Sequence, residues 1–127
     1  MNQRSIERIK FLKEPSSYFN EEEFVAHFPK VEGEDELFKK LGDQLQFPDY
    51  FGHNWNAVYD CLSDFHWILK KGVVLVHNTI PVLSDASLKI YLEVLVDATG
   101  NWKEVDSHYL KVVFPEDSRQ LIGEMLA

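Results

Sequence analysis

The chain has 127 residues, 45% of them hydrophobic and 13% aromatic, with 13 Lys+Arg against 21 Asp+Glu for a formal net charge of -8. That length and apolar share suit one compact domain, and the single Cys61 excludes a disulfide-stapled scaffold. Met1–Glu14 has no apolar run suited to a signal peptide, and no stretch approaches the ~20 apolar residues of a spanning helix, so a cytoplasmic protein without membrane contact is expected.

In chain order, Asn2–Lys13 is predicted as a short amphipathic helix through Ile6, Ile9, Lys10 and Lys13, ended by Glu14-Pro15-Ser16-Ser17. Phe24–Phe28 before Pro29 reads as a strand. Glu34–Gln44 carries Leu37, Phe38, Leu41 and then Leu45 at helical spacing, with acids in its first turn. A loop over Phe47–Gly52 follows, then a helix over Asn54–Phe65 with Asn54 as N-cap. Gly72–Asn78 is a β-branched run of the buried parallel type. An extra helical turn is allowed after Pro81. Ser84–Thr99 is again helical, with Gly100 as its expected stop. Tyr109–Phe114 reads as the last strand and Gln120–Leu126 as a closing helical turn. Helical segments between strands imply crossovers, hence an α/β fold with a small parallel sheet. The chain divides into an N-terminal extension (1–20), a domain (21–115) and a C-terminal tail (116–127).

The charge is unevenly placed. Residues 1–20 hold four basic and two acidic side chains, whereas 21–127 hold nine basic against nineteen acidic, a net of -10. No Lys or Arg occurs between Lys40 and Lys70, while Asp43, Asp49, Asp60 and Asp64 do. Scarce, scattered bases argue against direct nucleic-acid binding, and the acidic excess favours a basic partner.

On a helical wheel, Val58, Cys61, Leu62 and Phe65 share one apolar face of the 54–65 helix. The opposite face carries Asn56, Asp60, Ser63 and Asp64, with Tyr59 at its edge and Trp55 on the other flank. An ordinary solvated face would pair its acids with bases at i, i+4. With Tyr50, Phe51 and His53 in the preceding loop, aromatics surround uncompensated acids, as they do in protein-binding hot spots. Equally open at this point is a plainer reading in which most of these aromatics are core and only Asp60 and Asp64 are wet.

The run Phe47-Pro48-Asp49-Tyr50-Phe51-Gly52-His53-Asn54-Trp55-Asn56-Ala57-Val58-Tyr59-Asp60-Cys61-Leu62 resembles the signature of the barstar family, intracellular inhibitors of barnase-type ribonucleases. The likeness extends over roughly residues 22–114. It implies a three-stranded parallel sheet packed by helices. It also implies a nuclease-blocking surface formed by Tyr50, Phe51 and Gly52 with the exposed face of the helix. Asp60 matches the acid that occupies the place of a substrate phosphate in the nuclease. Tyr50, Asn54, Trp55, Asn56 and Tyr59 fall on contact positions around it, with Ser63 and Asp64 at the end of the face. Asp97 falls where a supporting Glu is common. Asn56 stands where the family usually has Asp, and Tyr59 where Trp is common, which implies a partner whose rim differs from that of barnase.

The resemblance thus implies a monomeric inhibitor of a basic ribonuclease, or an immunity protein to a nuclease toxin domain, with no catalytic residue, metal or cofactor. Two other classes compete. A small acid- or thiol-dependent hydrolase would need Cys61 beside a histidine, but Cys61 lies on the apolar face with His66 turned away. His53 and Asp60 are ~10 Å apart along a helix, too far for one ion, and Asp60 with Asp64 makes at most a weak cation site. His27, His77 and His108 adjoin strands and read as structural. An acidic nucleic-acid mimic would use the same charge without needing the aromatic rim.

Overall fold

A computed structural model describes residues 3–127, with side chains from Ile6 onward. Its scaffold is a sheet of four strands: β1 (Ile9–Leu12), β2 (Glu23–Phe28), β3 (Gly72–His77) and β4 (Tyr109–Pro115). They lie in the order β1-β4-β3-β2, and every neighbouring pair is parallel. All six residues of the central β3 are buried, which is why it reads as a continuous apolar run rather than an alternating one. Its side chains still divide between two faces. Val73 and Leu75 join Ala26, Phe28, Leu110, Val112 and Phe114 in the main core, while Val74, Val76 and Val113 form a smaller cluster under Leu12, Tyr18 and Val25.

Four helices complete the fold: α1 (Glu34–Leu45), α2 (Trp55–Leu62), α3 (Asp85–Asn101) and α4 (Arg119–Leu126). Each of the first three buries an apolar stripe, Leu37/Phe38/Leu41/Leu45, Val58/Cys61/Leu62 and Leu88/Tyr91/Leu92/Leu95/Val96. The α/β architecture with a parallel sheet is as the sequence indicated. Among the described residues, no helix is long and apolar enough to cross a membrane.

Four expectations need correction. The sheet has four strands, not three, because Ile9–Leu12 forms a strand where a helix over 2–13 was expected. A short segment with two apolar faces is ambiguous locally. Here the open edge of β4 decides, pairing Ile9 with Val112 and Phe11 with Phe114. Residues 9–12, placed above in an N-terminal extension, are therefore part of the sheet. Residues Gln3–Arg8 before β1 form a 3-10 helix.

Gly100 does not stop α3, which runs on to Asn101. The glycine instead admits Arg8: a Cβ at position 100 would lie 2.3 Å from Arg8 Nη1, which donates to the Val96 carbonyl at 3.2 Å. Nor is there a helical turn after Pro81. Val82 bridges to Glu32 instead, with backbone bonds of 2.9 Å to Val31 and from Gly33.

Finally, α2 ends at Leu62 rather than Phe65. Phe65 has a left-handed backbone (φ 58°), costly for an aromatic residue. Its ring is fully buried and stacks on Trp102 with centroids 5.8 Å apart, so core packing outweighs the local preference.

Candidate partner-binding face

The segment between α1 and α2 is anchored from within. Gln46 takes a left-handed conformation (φ 57°), turning the chain out of α1. Trp67 Nε1 donates to the Leu45 carbonyl at 2.9 Å. Phe51 packs edge-on against Phe47 with centroids 4.8 Å apart and lies over Gly42, while its N–H reaches the Pro48 carbonyl at 2.9 Å. With Phe51 turned inward, Tyr50 is left 68% exposed and Gly52 lies on the surface.

Asn54 then starts α2 as expected, its Oδ1 accepting the Ala57 N–H at 2.8 Å. Trp55 points partly into the core, edge-on to Phe38 at 4.8 Å and tilted against Tyr91 at 5.9 Å. Asn56 and Asp60 are exposed and Tyr59 is half-buried. The Tyr59 hydroxyl accepts a hydrogen bond from Asn101 Nδ2 on α3. Asp97, also exposed, lies one turn before Asn101 on the same helix.

Ser63 and Asp64 follow the end of α2 and diverge. Ser63 Oγ is buried without a hydrogen-bond partner among the described residues. Asp64 accepts the His66 N–H at 3.1 Å through Oδ1, and its Oδ2 lies 2.9 Å from His66 Nδ1. Partial loss of water, then the Asp64 carboxylate, raises the Tyr50 phenol above its ordinary range.

The fold therefore brings together Tyr50, Asn54, Asn56, Tyr59 and Asp60, with Asp97 on the neighbouring helix. It turns much of Phe51 and Trp55, and the Ser63 hydroxyl, inward. Asn101 was not singled out from the sequence, since its tie to Tyr59 spans 42 positions and no local spacing points to it. The Asp60 carboxylate has no ion-pair or hydrogen-bonding partner among the described residues, in keeping with the base-free interval around it.

Cys61 and three of the histidines are tied into the scaffold. Cys61 is 3% exposed, and burial, then Asp64 and Asp60, push its thiol up to about 11, which suppresses the nucleophilic thiolate. His77 Nδ1 donates to the Val113 carbonyl at 3.0 Å, and the Tyr91 hydroxyl lies 2.7 Å from Nε2. His108 Nε2 donates to the Ile68 carbonyl at 2.7 Å, and His27 Nε2 lies 3.1 Å from the Tyr18 carbonyl. Among the described residues, no group of three or more His, Cys, Asp or Glu could hold a metal ion.

The molecule is thus a small parallel α/β domain whose second helix exposes Asn56 and Asp60, with Tyr50 exposed in the loop before it and Asp97 on α3. Residues 22–114 match the family model described as Barstar (barnase inhibitor), and the chain belongs to the barstar family. Strand β1 and helix α4 lie outside the matched segment. No match was found among curated proteins or among solved structures.

Proposed function

We propose that the protein inhibits a barnase-type ribonuclease, or a related nuclease toxin for which it is the immunity protein, by covering the active site with the α2 face and the Tyr50–Gly52 loop. In this reading it is a cytoplasmic monomer with no catalytic activity of its own. The observation that carries it is Asp60: an exposed, uncompensated carboxylate on a capped helix, at the family's signature position. A ribonuclease that stabilises a pentavalent phosphate transition state must gather cationic side chains, and a carboxylate on a rigid helix can satisfy them without offering a bond to cleave. Tyr50, Asn54, Asn56 and Tyr59 would supply the polar and aromatic rim, with Asp97 and Asp64 adding charge at its margins. The exposed part of Trp55 would join that rim, while Phe51 and Ser63 would support it from beneath.

The test is inhibition of RNA hydrolysis by barnase-type ribonucleases, with Asp60→Ala as control. The parent is expected to inhibit with a 1:1 end point. The variant should keep its fold by circular dichroism while losing at least about 30-fold in affinity, the lower bound of a hot-spot acid. Association should slow as salt is added, because the attraction is long-range. A variant that inhibits as well as the parent would remove Asp60 from the interface.

A further inference from the structure

The loops entering β3 and β4 border an open cleft of about 450 Å³ whose lining is mostly basic, opposite in sign to the molecule. Lys71, Lys103 and Lys111 line it with the acid Glu104, and the rings of Trp102 and Tyr109 supply apolar wall. The Glu23 carboxylate lies behind Lys111 and Tyr109, and that of Asp106 at the Lys103 N–H. Lys111 is already committed, with Nζ 2.9 Å from the buried Glu23 carboxylate. Lys71 and Lys103 are exposed and, among the described residues, neither ammonium has a carboxylate within ion-pair distance. In a chain of net charge -8, two free ammonium groups beside an indole are a local reversal of sign. Trp102 is held rigidly: one side stacks on Phe65 and Nε1 donates to the Leu62 carbonyl at 3.0 Å. Lys103 is fixed at its backbone, where its N–H reaches Asp106 Oδ2 at 2.7 Å.

We propose that this cleft binds a nucleoside phosphate, with the base against Trp102 and the phosphate between the Lys71 and Lys103 ammonium groups. An aromatic surface beside cations is the arrangement that holds a base together with its phosphate, and the volume lies in the range of small-ligand sites. Glu104 can accept from a ribose hydroxyl or an exocyclic amine. A net negative charge disfavours long polyanions that need extended basic tracts but does not exclude a single nucleotide held in one basic cleft. Free mononucleotide and the end of an RNA strand share this chemistry.

The test is an amide and indole NMR titration of the full-length protein, without any nuclease, using adenosine monophosphate, inorganic phosphate and a short single-stranded RNA as probes. The monophosphate is expected to give saturable shifts at Lys71, Trp102, Lys103 and Tyr109 with a Kd of about 1 mM or tighter. Inorganic phosphate should bind at least about 10-fold more weakly because it lacks the stacking base. Lys71→Ala/Lys103→Ala, at exposed positions, should lose about 10-fold or more with the spectrum otherwise unchanged. RNA binding tighter than the mononucleotide would identify the strand end as the source, and equal binding the free nucleotide. The proposal is overturned by an absence of saturable shifts at these residues with the monophosphate, by shifts that persist unchanged in the double variant, or by inorganic phosphate binding as tightly as the nucleotide.

Discussion

Asn101 on α3 donates its side-chain amide to the Tyr59 hydroxyl on α2, one residue before Asp60. The bond ties the two helices together at the proposed interface and fixes the direction of the tyrosine ring. Sequence spacing could not reveal it, because the partners are 42 positions apart. Tyr59→Phe and Asn101→Ala are each expected to cost about 1 kcal/mol or less in urea unfolding, since both groups can return to water. Inhibition should suffer more, by about 10-fold, because the ring loses its orientation beside the central acid. A double-mutant cycle on inhibitory affinity should show the two losses to be less than additive.

Gly72 permits a second long-range connection. In register it stands between Glu23 of β2 and Tyr109 of β4, and a Cβ there would lie 2.2 Å from the Tyr109 hydroxyl. Over this gap Tyr109 reaches the Glu23 carboxylate, which also accepts from Tyr18 and pairs with Lys111. Burial works to raise the Glu23 carboxyl, but the bonds from Tyr109 and Tyr18 and the Lys111 ammonium hold it below its usual range. Gly72→Ala should displace Tyr109 and destabilise the fold by about 2–4 kcal/mol, through strain and a buried carboxylate short of a donor. In a Tyr109→Phe background the same change should cost less, which urea midpoints at constant slope would show.

His77 makes stability pH-dependent above the range where carboxylates titrate. Burial lowers its pKa from 6.5 to about 4, partly opposed by the bond to the Val113 carbonyl. Below pH 6.5 the unfolded chain takes up a proton that the folded one refuses, so stability falls as pH drops toward 4. The loss at the lower end is at most about 3 kcal/mol. Glu23 adds its own decline only below its ordinary value of 4.5, because its folded carboxyl is held lower still. Unfolding free energies between about pH 4 and 6.5 should therefore fall as pH drops, more steeply in the parent than in His77→Gln.

Strand β1 has a testable cost of removal. It covers the outer edge of β4 and brings Arg8 to the Val96 carbonyl and Phe11 under the Arg119 guanidinium, 4.4 Å from the ring centroid. Deleting residues 1–13 should lower the melting temperature and leave β4 as an open edge that pairs with other copies. Light scattering after size-exclusion chromatography should detect that association. A monomer with unchanged melting would show that the sheet does not depend on its fourth strand.

The local code was strong wherever near neighbours decide. Asn54 caps α2 as expected, accepting an N–H three residues on at 2.8 Å, and Ser84 caps α3 in the same way at 3.1 Å. The β-branched run of β3, the apolar stripes of α1 to α3 and the core position of Cys61 follow from periodicity alone. The signature around Asp60 was legible too, together with the absence of any base to compensate it. Tertiary contact settled the rest. Ile9–Leu12 became a strand because β4 had an edge to pair, Gly100 inside α3 serves to leave Arg8 room rather than to end the helix, and Phe65 went left-handed to reach Trp102. The same contacts sorted the face itself, turning Phe51 and Trp55 partly inward and bringing Asn101 to Tyr59. Caps and periods act within a few residues, whereas strand pairing and core packing join groups 37 to 103 positions apart and can outweigh a local preference of about 1 kcal/mol.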